Sequence, residues 1–386
     1  MKKILSIILT ITVLLFNVIP ICAHAEEDSA EADFELSHNV FGAYLCEATT
    51  GKVLFAHNEF KASSPASVTK VMTLLLVMEA LESGKYKLDD IVTVSAKAAS
   101  MGGSQVFLEE GERISVEDLI KATVIASGND ASVVLAELTA GSESSFVRLM
   151  NQRAQELGLK NTFFENTTGL DDSTTKHLSC AADIATMSRE LIKHELILEY
   201  SSIWQDSIRN GEFTLTNTNR LVRYYEGCNG LKTGSTDKAG YCISATAKRG
   251  NMQLIAVVMG AETRDERNEV ARELLDYGFA NFILYENGEQ FLEDAKVLRG
   301  VYDTVPLYSK GFSCIVNKND KQRINLVYDI PERVSAPINN GDIVGRIIYK
   351  IGDEQIGESK IVANGEVEVI NYLDVLFRII KRMISG

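Results

Sequence analysis

Two side chains near the start of a long apolar run have types and spacing that suit acyl-transfer chemistry. Ser67 and Lys70 stand three residues apart, and the apolar run behind them reaches Leu81. Residues three apart on a helix share a face, so this hydroxyl and this amine would lie side by side. A serine becomes a strong nucleophile when a base removes its proton, and a desolvated lysine can be that base. The alternative is a chance S-x-x-K spacing in which the lysine only extends to solvent.

The helix that must hold this pair is predicted to begin at Pro65 and to end at Gly84. Its residues are apolar on all sides, which is typical of a helix in a protein core. Ser67 would lie at the N-terminal end, where free backbone N–H groups and the helix dipole stabilise developing negative charge.

A second group places a hydroxyl and a carboxamide around a glycine, in the order Ser127, Gly128, Asn129. The group lies inside a stretch with a helical pattern, residues 116–138, so a tight turn there could direct both side chains the same way. Such a pair could relay a proton and hold a substrate amide. The alternative is an ordinary helix–helix turn with Ser127 or Asn129 as the N-cap.

A third group, Lys232, Thr233 and Gly234, precedes two apolar strands that flank a turn at residues 248–251. A lysine and a threonine at a strand edge can bind a carboxylate through a charge and a hydroxyl. Gly234 would let a ligand approach the backbone closely. A solvated turn is the alternative for this group alone.

In order and spacing these groups together resemble the motifs of the penicillin-binding proteins and serine β-lactamases. The short sequences around these groups, together with Asp276-Tyr277-Gly278-Phe279, are similar to those of the low-molecular-mass D-alanyl-D-alanine carboxypeptidases. This resemblance extends from about Ala43 to the C-terminus. The resemblance implies an α+β fold: a β-lactamase/transpeptidase-like domain with an antiparallel sheet, helices and an all-helical part, then a small β-rich domain and a C-terminal amphipathic helix.

The resemblance also implies catalytic roles for three residues. Ser67 matches the nucleophile that forms the acyl ester, and Lys70 matches the base that activates it. Ser127 matches the hydroxyl that passes a proton to the leaving amine.

The implied substrate-binding residues lie in the second and third groups. Asn129 matches the amide that orients the substrate, while Lys232 and Thr233 match the pair that binds the terminal carboxylate of D-Ala-D-Ala or of a β-lactam. Gly234 completes that motif, and the backbone N–H of Ser235 would share the oxyanion hole with that of Ser67. Some relatives carry histidine or phenylalanine at the position of Ser235.

Two further features border this predicted site. His177 lies in a polar segment, residues 171–179, where it would position a water molecule or stand on the surface. Residues 102–104 would form a flexible loop at the edge of the site or an ordinary turn.

Composition excludes several classes of protein. The chain has 386 residues with 45% hydrophobic and 24% charged, and its net charge of −14 argues against a nucleic-acid partner. Its histidines and cysteines lack the spacing of metal ligands, so we expect no metal or other cofactor. The cysteines are widely spaced, which allows disulfides without indicating a disulfide framework.

Residues 1–25 have the pattern of a secretory signal peptide: a basic start, a short apolar stretch and the cleavage site Ala23-His24-Ala25. Residues 26–38 would form an acidic linker. Lipoprotein processing at Cys22 is the alternative, but Ile21 stands where a small residue is expected. The mature protein is therefore predicted outside the cytoplasmic membrane.

Residues 39–285 are predicted to form the penicillin-binding, transpeptidase-like catalytic domain and residues 290–367 the β-rich domain. Residues 368–386 would form an amphipathic helix whose polar face carries cations, which suits an anionic membrane surface and is too short to span it. Packing of this helix on the protein's own core is the alternative.

The sequence thus predicts an exported, membrane-attached serine-type D-Ala-D-Ala carboxypeptidase that removes the terminal D-alanine from peptidoglycan stem pentapeptides and is inhibited by β-lactams. Its predicted partners are that stem peptide, β-lactams and the membrane surface. The alternatives are a β-lactamase and a penicillin-binding cell-wall scaffold with little turnover. The balance between carboxypeptidase and endopeptidase activity stays open, because both reactions cleave after an acylated D-alanine carbonyl.

Overall fold

The computed structural model describes residues 34–171 and 174–385. The predicted signal peptide, most of the acidic linker and Cys22 lie outside the described residues. From residue 42 to residue 281 the elements are, in chain order, β1 (Gly42–Glu47), β2 (Val53–His57), α1 (Lys70–Glu82), β3 (Ile91–Thr93), α2 (Ala96–Ala99), β4 (Arg113–Ser115), α3 (Val116–Val124), α4 (Asn129–Ala140), α5 (Glu143–Glu156), α6 (Ala181–Leu191), α7 (Glu195–Ser201), β5 (Gln205–Ile208), β6 (Phe213–Thr216), α8 (Leu221–Tyr224), β7 (Cys228–Thr236), β8 (Gly240–Arg249), β9 (Met252–Ala261) and α9 (Arg264–Asn281).

The centre of this part is an antiparallel sheet with the strand order β2-β1-β9-β8-β7. Successive side chains of a strand point to opposite faces, and here both faces are covered. Leu45 lies on one face near Gly278 of α9, while Cys46 on the other face belongs to a core that contains α1 and α6. The strand β7 is an edge of the sheet, so the predicted carboxylate-binding group stands at a strand edge as expected.

The helix α1 is the buried centre of the second layer, as its all-round apolar sequence predicts. Its residues from Lys70 to Leu75 are all buried, and α3, α4, α5 and α6 surround it. The helix differs from the prediction at its start, because residues Ala66–Thr69 form a 3₁₀ turn and the α-helical part begins at Lys70. Short 3₁₀ turns are common at helix ends, and the N–H of Val68 donates to the carbonyl of Pro65.

The C-terminal part is β-rich, as predicted. Its elements are β10 (Phe282–Asn287), β11 (Gln290–Leu298), β12 (Thr304–Ser309), β13 (Phe312–Asn317), β14 (Ile324–Asp329), β15 (Arg333–Ser335), β16 (Ile343–Ile351), β17 (Glu354–Ala363) and the helix α10 (Tyr372–Ser385). A six-stranded sheet has the order β14-β16-β17-β12-β11-β15, and β10 pairs with β13. Leu307, Ile347, Tyr349 and Ile361 fill its separate core.

The terminal helix α10 exposes its apolar arc. Phe377 is 68% exposed and Ile384 is 81% exposed, so the alternative that this arc packs on the chain's own core does not hold for the described residues. The helix is held instead through Arg378, whose guanidinium contacts the Asp303 carboxylate at 2.9 Å and donates to the carbonyls of Gly300 and Val301. Over the described ranges, none of the helices combines the length and hydropathy needed to cross a bilayer.

Candidate active site

Ser67 and Lys70 are brought together by the 3₁₀ turn and the first residue of α1. The Nζ of Lys70 donates to the Oγ of Ser67 at 3.0 Å, and the Lys70 side chain is fully buried. Burial, and next the positive charge of Lys232, hold the pKa of the Lys70 amine well below its ordinary value. A lowered pKa increases the share of the neutral amine, which is the form that can accept a proton from the serine hydroxyl.

Two further oxygens fix the position of the Lys70 amine. Its Nζ donates to the Asn129 Oδ1 at 2.6 Å and to the backbone carbonyl of Thr168 at 3.0 Å. The loop that supplies this carbonyl lies against the 3₁₀ turn at Gly169, where a Cβ would stand 1.8 Å from the carbonyl oxygen of Ala66. The amine is therefore held within reach of Ser67 rather than free to rotate.

The second predicted group forms the turn between α3 and α4. Ser127 has a φ of +63°, a left-handed conformation that is uncommon for serine and typical of tight turns. Its Oγ is buried and has no hydrogen-bond partner among the described residues, so this hydroxyl is available for a substrate proton. The N-cap of α4 is Gly128, and no side chain caps the helix, so the simple capping alternative is wrong.

Asn129 is more strongly engaged than the sequence indicated. Besides its contact with Lys70, its Nδ2 donates to the carbonyl of Gly102 at 2.6 Å, and its backbone N–H donates to Ser104. The side chain thus joins the lysine to the loop at residues 102–104, and one Nδ2 proton is left for a substrate carbonyl.

The third predicted group lies on β7, beside the 3₁₀ turn. Lys232 is buried, and its Nζ donates to the backbone carbonyl of Thr233 at 2.8 Å. Burial, and next the charge of Arg267, lower the pKa of Lys232 to about 7. The Thr233 hydroxyl donates to the Oγ1 of Thr218 at 2.8 Å. An anion bound here would favour the charged form of Lys232.

Gly234 allows a close approach, but the approaching group is the chain's own backbone. A Cβ at this position would stand 2.7 Å from the Ser67 nitrogen and 2.8 Å from the Val68 nitrogen. The next residue, Ser235, is exposed on the same strand and pairs with Tyr241 of β8. The absence of a side chain at Gly234 therefore sets the spacing between β7 and the turn that carries Ser67.

We expect Gly234→Ala to lower the rate of acylation by a β-lactam about 100-fold, because a displacement of about 1 Å at a reacting group costs roughly that factor. The measurement is the acylation rate constant from intact-protein mass. Gly288→Ala is the matched control, since a Cβ there meets nothing within 4 Å. Equal rates for the two variants would contradict the role given to this contact.

A cavity of about 630 Å³ opens over these groups. Its wall includes Ser67, Ser127, Thr233, Gly234 and Ser235 of the predicted set, while Lys70, Asn129 and Lys232 are buried. Ser104, from the loop predicted to border the site, also lines the cavity. The residues that the sequence did not indicate come from the segments before β7 and at the start of α9: Trp204, Thr216, Asn217, Thr218, Arg220, Tyr224, Arg264 and Arg267. None of the described residues that line the cavity is acidic.

His177 is neither a surface residue nor a lining residue of this cavity. The ring is 3% exposed, its Nδ1 accepts from the Glu165 N–H at 3.1 Å, and its Nε2 lies 2.7 Å from the Thr69 hydroxyl. The neutral ring therefore carries its proton on Nε2 and donates to the residue next to Lys70. Burial lowers the pKa of His177 to about 4.

This depressed pKa predicts a pH-dependent stability. The unfolded chain binds a proton at an ordinary histidine pKa and the folded chain does not, so the free energy of unfolding falls as pH decreases from about 6.5 to about 4. The contribution is about 3 kcal/mol. Urea unfolding of wild type and His177→Gln at pH 7 and pH 4 measures it. The gap between the two proteins should narrow at pH 4, and a constant gap would refute the assignment.

A serine beside a buried lysine, with a further buried lysine and a threonine on a neighbouring strand edge, is the arrangement expected of the serine acyl-transferring, penicillin-binding class, and comparison with known proteins agrees. Residues 28–263 match the D-alanyl-D-alanine carboxypeptidase family, and residues 279–369 match the C-terminal domain of penicillin-binding protein 5. The chain therefore belongs to the D-alanyl-D-alanine carboxypeptidase family of serine peptidases. The predicted family, fold class and enzyme class are confirmed.

Individual relatives cover from about two thirds of the chain to almost all of it. The D-alanyl-D-alanine carboxypeptidase DacF of Bacillus subtilis is 42% identical over 386 residues, which is 98% of this chain and 98% of the relative. The crystal structure of penicillin-binding protein 5 from Haemophilus influenzae is similar with a TM-score of 0.77 and 30% identity, over 87% of this chain and 99% of the other. Penicillin-binding protein D2 from Listeria monocytogenes, in an ampicillin-bound form, has a TM-score of 0.59 and 30% identity, over 64% of this chain and 100% of the other.

Proposed function

We propose that this carboxypeptidase removes the terminal D-alanine from peptidoglycan stem pentapeptides through an acyl-enzyme on Ser67, and that it works at the outer face of the cytoplasmic membrane. The contact of 3.0 Å between the buried Lys70 amine and the Ser67 hydroxyl carries this proposal. The names of the relatives support the terminal D-Ala-D-Ala dipeptide as the substrate.

In the acylation step, Lys70 takes the Ser67 proton while Ser67 Oγ attacks the carbonyl of the penultimate D-alanine. The backbone N–H groups of Ser67 and Ser235 stabilise the resulting oxyanion. The bond from carbon to nitrogen then breaks, Ser127 passes a proton to the amine, and D-alanine leaves. Water attacks the ester and releases the shortened peptide, which restores Ser67.

The strand β7 and Asn129 are assigned the role of holding the substrate in position. Lys232 and Thr233 bind the terminal carboxylate, with Gly234 spacing the strand from the nucleophile. Asn129 holds the Lys70 amine through its Oδ1 and offers its remaining Nδ2 proton to the substrate carbonyl. A β-lactam would occupy the same groups and acylate Ser67, which the ampicillin-bound relative supports.

The absence of acidic side chains from the described cavity wall favours this proposal over a β-lactamase. Class A β-lactamases use a glutamate to activate the water that hydrolyses the acyl-enzyme. Asp130, the carboxylate in the second group, is buried and accepts from the backbone N–H groups of Val106 and Leu108, so it is not directed at Ser67. We therefore expect slow loss of a penicilloyl adduct.

Three measurements on one preparation test the proposal: D-alanine release from a stem pentapeptide, the intact mass after penicillin, and the rate of penicillin loss. The expected result is D-alanine release that stops when one equivalent of penicillin is attached to the peptide containing Ser67. An adduct without D-alanine release would support the scaffold alternative instead, and rapid penicillin loss without an adduct would support the β-lactamase.

The proposed location requires export, through a signal peptide at residues 1–25, and attachment to the membrane surface through α10. The exposed apolar arc of α10 suits burial in a membrane interface. Arg378 is engaged with Asp303, so the cationic face is partly turned toward the protein rather than toward lipid. Residues 39–285 and 290–367 are proposed as the catalytic and spacer domains.

For the membrane attachment, we expect Leu376→Asp with Ile380→Asp to reduce binding to anionic vesicles at least 10-fold, because two charged groups would enter the apolar interface. D-Alanine release from a soluble peptide should change less than twofold. Vesicle flotation is the measurement. The control is Val327→Asp with Ile343→Asp, which places the same two charges on exposed side chains of the β-rich part. Equal flotation of the control and the α10 double variant would overturn the membrane proposal.

A further inference from the structure

The segment at residues 166–171 is held in shape by the side chain of its first residue. The Oδ1 of Asn166 accepts from the backbone N–H of Thr168 at 3.1 Å and from that of Gly169 at 2.7 Å. The segment also carries the Thr168 carbonyl that accepts from the Lys70 amine. The shape of this segment therefore decides where the base stands.

The residue after Asn166 fixes the near end of the segment to the helical layer. The carbonyl of Thr167 accepts from the hydroxyl of Thr73 on α1 at 2.8 Å and from that of Ser132 on α4 at 3.2 Å. The N–H and hydroxyl of Thr167 donate to the carboxylate of Glu143 on α5. All of these side chains are buried. Three helices thus hold the near end, and the far end at residue 171 is held by a different element.

The far end of the segment is tied to the strand β7. The Oδ2 of Asp171 accepts from the Thr236 hydroxyl at 2.5 Å, and the oxygen of this hydroxyl accepts from the Ala239 N–H at 3.0 Å. Thr236 is the last residue of β7 and directly follows Ser235, whose N–H is assigned to the oxyanion hole. A hydrogen bond to a carboxylate is shorter and stronger than one between neutral groups. The Asp171 carboxylate is therefore placed to fix the end of the strand that carries this donor.

These contacts close a ring around the turn that carries Ser67. On one side Gly169 lies against the turn, since a Cβ there would stand 1.8 Å from the carbonyl oxygen of Ala66. On the other side Gly234 lies against it, since a Cβ there would stand 2.7 Å from the Ser67 nitrogen. The hydrogen bond between the segment and the end of β7 joins the two sides. The nucleophile's turn is thus enclosed between the segment that holds the base and the strand that offers the oxyanion donor.

The pair that is proposed to bind the substrate carboxylate is held by other contacts. The Thr233 hydroxyl donates to Thr218, and the Lys232 amine donates to the carbonyl of Thr233. Loss of the hydrogen bond between Asp171 and Thr236 would leave these contacts in place. We therefore expect such a loss to act on the reaction step and to spare the first binding of the substrate.

We propose that Asp171 is a positioning residue for the acylation step, which acts through the Thr236 hydroxyl. Its carboxylate keeps the backbone N–H of Ser235 within reach of the oxyanion that forms when Ser67 attacks. This inference rests on the proposed function. Because the oxyanion exists only in and beyond the transition state, the contribution of Asp171 is to the rate and not to the affinity for the substrate.

The time course of intact-protein mass at several penicillin concentrations separates the limiting acylation rate constant from the half-saturating concentration. Thr236→Val removes the hydroxyl and keeps the shape of the side chain. We expect the rate constant to fall about 10-fold or more, which is part of the roughly 100-fold or larger loss caused by removal of an oxyanion donor. The half-saturating concentration should change less than about threefold.

Two further variants show whether the two side chains act as one unit. Asp171→Ala should lower the rate constant as much as Thr236→Val, and the double variant should be no slower than either single one, because all three lack the same bond. Thr236→Ser keeps the hydroxyl and should stay within about threefold of wild type.

A boronic acid that forms a tetrahedral adduct on Ser67 gives a readout that a loss of stability would not move. Its affinity for Thr236→Val should fall by the same factor as the rate constant, because an oxygen on boron occupies the oxyanion position. Tyr225→Phe is the matched control, since it removes a hydroxyl that donates to the Asp276 carboxylate at 2.7 Å between α8 and α9. This control should keep both the rate constant and the boronic acid affinity.

Three results would each overturn the role of Asp171: equal rate constants for wild type and Thr236→Val, a double variant slowed by the product of the two single effects, or a loss carried wholly by the half-saturating concentration. Wild type that forms no adduct with penicillin would overturn the proposed function itself. The two failures are therefore distinguishable.

Discussion

Replacing Ser67 by alanine is expected to lower the rate of D-alanine release about 10⁴-fold or more and to abolish the penicillin adduct. The Oγ of Ser67 is the atom on which the proposed ester forms, and loss of a nucleophile removes the whole covalent route. The residual rate would come from binding and from the backbone N–H groups alone. Single-turnover D-alanine release and intact-protein mass are the measurements.

The matched control for this variant is Ser100→Ala, an exposed serine after α2 whose hydroxyl donates only to the carbonyl of Lys97. Both variants should keep the wild-type thermal unfolding midpoint within a few degrees, because neither hydroxyl supports the core. A penicillin adduct on folded Ser67→Ala protein would mean that another residue is the nucleophile.

The second large effect concerns Lys70. We expect Lys70→Arg and Lys70→Met to lower the acylation rate about 10³-fold, because arginine does not lose its proton in proteins and methionine has no base. In wild type the Lys70 pKa lies well below 10.5, so the rate at saturating substrate should rise with pH in an acidic limb centred well below that pH and then become level. Saturation is needed because the Lys232 amine, with a pKa of about 7, is proposed to bind the substrate carboxylate, so its titration would change substrate affinity.

The control is Lys52→Met, which removes an exposed lysine in the turn before β2. Lys70→Met also leaves the oxygens of Asn129 and Thr168 without their donor, at a cost of about 1–3 kcal/mol each, so unfolding is measured beside the rate. A wild-type acylation rate whose acidic limb is centred near the ordinary lysine pKa of 10.5 would contradict the role of a lysine with a lowered pKa.

The parts of the site that the sequence predicted are those fixed by local geometry. Ser67 and Lys70 meet because residues three apart share a face, and this holds even though the turn between them is 3₁₀ rather than α-helical. The placement of Lys232 on a strand edge was predictable from the two apolar strands and the turn that come after it in the sequence. These strands are β8 and β9, and β7, β8 and β9 are adjacent strands of one sheet. The hairpin β1–β2 and the helix α1 were predictable for the same reason.

The parts that the sequence did not indicate depend on contacts between distant segments. The carbonyl of Thr168 reaches Lys70 across 98 positions, and a backbone carbonyl leaves no mark in residue types. Arg220 and Arg264 stand in polar segments without a recognised motif, and only folding brings them to one cavity. In the C-terminal part, the bounds of short strands such as β15 are not readable from the sequence, since short strands with mixed polarity give a weak alternation.

The contact of Arg378 with the loop at residues 300–303 has a consequence for how the enzyme would search the wall. A flexible tether would let the catalytic cavity move through a wide volume around its anchor. Here three hydrogen bonds from the Arg378 guanidinium join the helix to the β-rich part, so the two move together. With α10 lying in the interface as proposed, lateral diffusion of the anchor moves the whole body, and the search becomes two-dimensional. Substrates within a narrow layer next to the bilayer would then be trimmed first, and material farther from the membrane would stay out of reach.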